Sequence, residues 1–167
     1  MAVLEIQTGD VPILRQKAKP VTHVDDNVLR LIEDMFETMA AACGIGLAAP
    51  QIGVPKQIIV ADISQHFPDC PPVALINPLI TEASGEELGE EGCLSLPGLR
   101  GIVRRASSVT VHALLPNGEE AELSGNHLMA RVLQHEIDHL NGILFIDLLK
   151  PEDQILLEQE EAKEASN

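Results

Sequence analysis

Two histidines four residues apart enclose a glutamate in the run Leu133-Gln134-His135-Glu136-Ile137-Asp138-His139-Leu140. On a helix, residues i and i+4 lie one turn apart on the same face. His135 and His139 can then hold one metal ion, with Glu136 beside them to handle a proton. The plainer alternative is a pair of hydrogen-bonded core histidines next to a chance glutamate. Burial favours the ion: a carboxylate and two imidazoles in apolar surroundings need partners, and a cation supplies partners for all three. A two-histidine site also wants a third protein ligand and, if catalytic, an open fourth position. One candidate is Cys93, within Glu90-Glu91-Gly92-Cys93-Leu94-Ser95-Leu96-Pro97-Gly98, although a lone cysteine there also reads as a small core residue. Glu158 is the other, at the separation protein-cutting zinc enzymes with this helix motif use, but in a strongly acidic stretch expected to face water.

The histidine run should be helical. Ser124 or Asn126 can cap its start, and Asn141-Gly142 offers a left-handed stop. Leu128, Met129, Val132, Leu133, Ile137 and Leu140 cover most of its circumference, the pattern of a buried helix. A second helix follows the Asp25-Asp26-Asn27 cap, with Val28, Leu31, Ile32, Met35, Phe36 and Met39 at helical spacing and Arg30, Glu33, Asp34 and Glu37 opposite. Ahead of it, residues 1–20 read as an extended arm with a turn at Asp10-Val11-Pro12.

Between the helices the texture is β. Ile58–Ile63 and Val73–Ile76 are short apolar runs, the second closed by Asn77-Pro78, and Val109–Leu115 turns through Pro116-Asn117-Gly118 into a strand reaching Leu123. Short turn-linked strands between two helices predict an α+β domain with mostly antiparallel pairing around the histidine helix, and a further helix at the C-terminus. The segment Cys43-Gly44-Ile45-Gly46-Leu47-Ala48-Ala49-Pro50-Gln51 lacks the Lys-Ser/Thr ending of a phosphate loop. Its alternating glycines allow a close backbone approach or a tight bend, and Gln51 is its one polar side chain.

The 167 residues, 45% of them apolar, predict a single domain spanning 1–167. No stretch approaches the roughly 20 apolar residues of a membrane span, and the start lacks the basic and apolar segments of a secretion signal. Three cysteines (Cys43, Cys70, Cys93) cannot all pair, which predicts a reducing, cytoplasmic location. A net charge of -15 and the absence of Trp and Tyr argue against a nucleic-acid ligand.

Gly44-Ile45-Gly46-Leu47-Ala48-Ala49-Pro50-Gln51, Glu91-Gly92-Cys93-Leu94-Ser95 and Gln134-His135-Glu136-Ile137-Asp138-His139, in that order, resemble the three motifs of the peptide deformylases. Those enzymes remove the formyl group from the initiator methionine of new polypeptides. The resemblance extends from Pro12-Ile13-Leu14-Arg15 to Leu144-Phe145-Ile146-Asp147. It implies Cys93, His135 and His139 as metal ligands, a metal-bound hydroxide attacking the formyl carbon, and Glu136 as general base and then acid. The family's usual ion is Fe(II); zinc, nickel or cobalt can replace it. Gln51 and the backbone N–H of Leu94 become the oxyanion donors, with Gly46 on the catalytic glycine loop. Ile45, Leu128 and Val132 border the methionine slot, Gly92 pairs with an extended peptide, and Arg100 borders the pocket. Arg105 also matches a family position and offers Asp138 a partner.

The implied partners are N-formylmethionyl nascent peptides in a bacterial cytoplasm or an organelle. Residues 151–167 depart from the basic extension some members use to dock on ribosomal RNA: they carry six acids against Lys163. A tail of that sign predicts weak or absent ribosome docking. The other readings are a zinc metallopeptidase using Glu158 and a formyl-peptide-binding homologue without turnover.

Overall fold

The computed structural model describes residues 2–151. The acidic segment 152–167, with Glu158 and the expected C-terminal helix, lies outside them.

Helix α1 (Asp26–Ala41) starts where predicted, the Asp25 side chain accepting a hydrogen bond from the Val28 N–H at 3.0 Å. A five-stranded antiparallel sheet follows in the order β1-β2-β3-β6-β7, from β1 (Gly46–Ala48), β2 (Ile58–Ala61), β3 (Val73–Ser84), β6 (Ser108–Leu114) and β7 (Glu120–Asn126). Strands β4 (Glu87–Cys93) and β5 (Leu96–Arg105) form a separate antiparallel hairpin. Helix α2 (Leu128–Leu140) carries the two histidines. The architecture is α+β, as expected.

Strand periodicity explains why β2 reads as an unbroken apolar run. Successive side chains point to opposite faces, and both faces are covered. Ile58 and Val60 join Val28, Ile32, Met35 and Met39 of α1 in one core. Ile59 and Ala61 join Ala130, Val132, Leu133 and Ile137 of α2 in another. A third, smaller core of Leu14, Leu96, Val103, Leu144 and Phe145 includes hairpin residues Leu96 and Val103. Each fully buried aliphatic side chain contributes about 1.5–3 kcal/mol.

Three local expectations need correction. Asn77-Pro78 does not end β3, which runs on to Ser84 through a register shift between Ile76 and Leu79. Asn77 takes the left-handed conformation (φ 52°), and its side chain accepts from the Val21 N–H at 2.8 Å and donates to the Val21 carbonyl at 2.9 Å. Pro78, lacking an N–H, is tolerated at such an irregularity. Strand β7 extends past Leu123 to Asn126. Neither Ser124 nor Asn126 caps α2: both belong to β7, and the Ser124 hydroxyl lies 3.2 Å from Thr110 Oγ1 across the sheet. His127 makes the whole strand-to-helix turn itself, at φ 52° and without a side-chain cap bond.

The stop is as expected. The Gly142 N–H donates to the His139 carbonyl and the Ile143 N–H to that of Asp138, with Gly142 left-handed at φ 72°.

Candidate metal centre

Helix α2 and strand β4 bring three groups to one point. His135 and His139 lie one turn apart with their rings edge to face, their Nε2 atoms 3.2 Å from each other, and Cys93 Sγ lies 3.3 Å from His139 Nε2. One ligand atom from each of the three residues falls within 4.8 Å of the others. A tetrahedral ion with bonds of about 2.0–2.1 Å to nitrogen and about 2.3 Å to sulfur sets ligand–ligand edges of roughly 3.3–3.6 Å. The donor set therefore fits one ion. Burial works against a proton on His135, yet hydrogen bonds to Cys93 and Glu91 outweigh it and raise the ring to about 10. His139 goes the other way, held well below its ordinary value by burial and by His135. An imidazole ligates only when neutral, so an ion held there would displace the proton that Cys93 and Glu91 favour on His135.

Cys93 reaches the helix because β4 ends on it, with a register shift between Gly92 and Cys93 where the hairpin turns. Along β4 the alternation is sharp: Glu90 is exposed and Glu91 is buried beneath the hairpin. The Glu91 carboxylate is the hub of a polar network that the sequence reading missed. It accepts from Arg105 Nε and Nη2 at 2.9 and 2.8 Å and from Arg131 Nη1 at 2.7 Å, and lies 2.8 Å from His135 Nδ1. The far nitrogen of a ligating histidine usually meets such a group, which fixes the ring. Arg105 Nη1 also donates to Asp138, the pairing anticipated for that aspartate. Glu91 on the inward parity of β4 and Arg131 one turn before His135 read as partners only once the hairpin lies over the helix.

Glu136 is 4% exposed, and its Oε2 has no hydrogen-bond partner among the described residues. Burial, the largest cause, raises its carboxyl to about 7, with His135 pulling the other way. Gly46 leaves room for it: a Cβ there would meet Glu136 Oε1 at 2.5 Å and Val132 Cγ1 at 2.9 Å. Gln51 is 1% exposed. Its Oε1 accepts from the Ala48 N–H at 2.9 Å, and its Nε2 lies 3.2 Å from Ser95 Oγ and 3.6 Å from Cys93 Sγ.

A cavity of about 690 Å³ brings nearly all the predicted residues together. Ile45, Gly46, Gln51, Gly92, Cys93, Leu94, Arg100, Leu128, Val132, His135 and Glu136 line it, and His139 does not. Cys43, His66, Glu90 and Leu99 line it as well and were not anticipated.

The polypeptide deformylase family model matches residues 3–154. A peptide deformylase from Syntrophomonas wolfei is 51% identical over 147 residues, covering 88% of this chain and 93% of its own. Among solved structures, a peptide deformylase from Legionella pneumophila superposes with a TM-score of 0.87 at 43% identity, covering 99% of this chain and 96% of its own. A class I type b peptide deformylase from Acinetobacter baumannii, solved with Met-Ala-Ser bound, gives 0.82 at 39% identity over 89% of this chain and 99% of its own. No helix among the described residues is long and apolar enough to cross a membrane. Sequence match, superposition and the cysteine–histidine cluster agree: the chain belongs to the polypeptide deformylase family.

Proposed function

We propose that this chain hydrolyses the N-formyl group from the initiator methionine of nascent polypeptides in a bacterial cytoplasm, releasing formate. The observation that carries the reading is the meeting of Cys93, His135 and His139 beside the unpartnered, buried carboxylate of Glu136. Those three residues would hold a divalent ion, Fe(II) first, with zinc, nickel or cobalt as alternatives. When bound, the ion supplies a Lewis acid that polarises the formyl carbonyl and acidifies water.

The chain's own groups supply the rest. Glu136 takes a proton from the attacking water and delivers it to the departing amine; a carboxyl raised to about 7 is matched to both roles near neutral pH. Gly46 keeps that carboxylate in place by its lack of a side chain. The Gln51 amide, fixed through Oε1 by the Ala48 N–H, aims Nε2 at the sulfur side of the cluster. It and the Leu94 N–H donate to the oxyanion as charge develops there. Ile45, Leu128 and Val132 hold the methionine side chain, whose flexible thioether suits an apolar slot. Beyond it, Gly92 and the pocket-lining Arg100 flank an extended peptide chain. The Met-Ala-Ser bound to the Acinetobacter baumannii relative supports a peptide of that kind.

Formate release from formyl-Met-Ala-Ser by anaerobically prepared protein tests the reading, together with elemental analysis of Cys93→Ala. Stoichiometric metal in the wild type, its loss in the variant and formate from the wild type alone are expected. Tight peptide binding with no formate would make the chain a binding protein, and full metal retention by Cys93→Ala would remove the cysteine from the ligand set.

A further inference from the structure

We propose that Arg131 is a positioning residue for this metal centre. It locks the β4–β5 hairpin, which delivers Cys93, against the helix that delivers His135 and His139. The inference rests on the metallohydrolase reading above and deepens it.

Arg131 lies one turn before His135 and is 9% exposed. Its guanidinium makes three bonds to the hairpin: Nη1 donates to Glu91 Oε2 at 2.7 Å and to the Val103 carbonyl at 2.9 Å, and Nη2 donates to the Glu87 carbonyl at 2.9 Å. Glu87 and Glu91 belong to β4 and Val103 to β5, so one helix side chain grips both strands. The other Glu91 oxygen lies against His135 Nδ1 at 2.8 Å. The same contact thus sets the height of the hairpin over α2 and the orientation of a ligand ring. The seat is shaped for the guanidinium, since a Cβ at Gly89 would lie 2.9 Å from Arg131 Cζ. Glu91 and Asp138 pair with Arg105 and Arg131 in one connected network. Arg105 sits on the hairpin itself. Arg131 reaches it from the helix, with a planar fork that a lysine cannot reproduce.

The test compares Arg131→Met, Arg131→Lys and Gly89→Ala in the full chain. Co(II) and Zn(II) affinity are measured by chelator competition, alongside the visible band of the cobalt form and the thermal melt of the metal-free protein. All three variants should bind metal about 10–100-fold more weakly with an altered cobalt band, and kcat should fall more than KM rises. Lysine should recover little. Gly89→Ala keeps every charge and disturbs only the seat, so it decides the matter if the methionine variant does not fold. Wild-type metal affinity and cobalt band in Gly89→Ala and Arg131→Lys, with only a lowered melt, would make Arg131 a stability residue and overturn the proposal. A wild type that releases no formate would sink the hydrolase reading instead, since the metal comparison is read independently of turnover.

Discussion

Gly46 and Glu136 are in contact across the floor of the cavity, the glycine backbone so near the carboxylate that a single added methyl would lie 2.5 Å from Oε1. The neighbouring atoms on that side are Val132 and the carboxylate itself, so the carboxylate must move. Gly46→Ala should therefore keep its metal, since Cys93, His135 and His139 are untouched, and lose about 10²-fold or more in kcat, as a misplaced catalytic group does. Metal analysis and formate release on the same sample check both halves.

Removal of the Gln51 side chain tests the oxyanion assignment. Gln51→Ala should lower kcat by about 10²–10³, the usual cost of one lost oxyanion donor, with metal retained. Turnover near wild type would take Gln51 out of that role.

Glu91 ties the site to stability. Burial alone would raise its carboxyl, but hydrogen bonds from Arg105 and His135 hold it at about 2 against an ordinary 4.5. Because the folded value lies below the unfolded one, the stabilisation is complete above about pH 4.5 and is lost as pH falls towards 2. A difference of that size is worth on the order of 3 kcal/mol. Glu91→Gln leaves Arg131 without a carboxylate partner and Arg105 with Asp138 alone, and should cost about 3–5 kcal/mol at neutral pH. Urea unfolding at pH 7 and pH 3 should show the gap between variant and wild type narrowing in acid.

Asn77 tests the irregularity in β3. Alanine there loses two hydrogen bonds to Val21 and must still occupy a left-handed conformation. Asn77→Ala should destabilise by about 2–3 kcal/mol, and Asn77→Gly by less, since glycine takes that conformation freely. Thermal melts of the two variants give the comparison.

The chemistry was more legible in the sequence than the framework that aims it. His135, Glu136 and His139 carry their meaning in their spacing, because a helix converts four residues into one face. Cys93 was already the better candidate for a third ligand than Glu158, but spacing alone could not establish it, and only the other two motifs made it specific. Helix α1 was readable from its Asp25 cap and apolar stripe, whereas the cap of α2 was misread because a strand runs straight into the helix through His127. The hairpin's long-range bonds left little trace in sequence. Glu91 and Arg131 are 40 residues apart, and nothing local tells a buried arginine on an apolar helix from an exposed one.

His139 is almost sealed from solvent and stands behind the cavity, while Cys93 and His135 form part of its wall. On the proposed function, an ion held there and a bound peptide would share one doorway, and a seated peptide would cork the ion in. Loss of metal to an external chelator should then slow when Met-Ala-Ser is present, as a stopped-flow chelation trace would register.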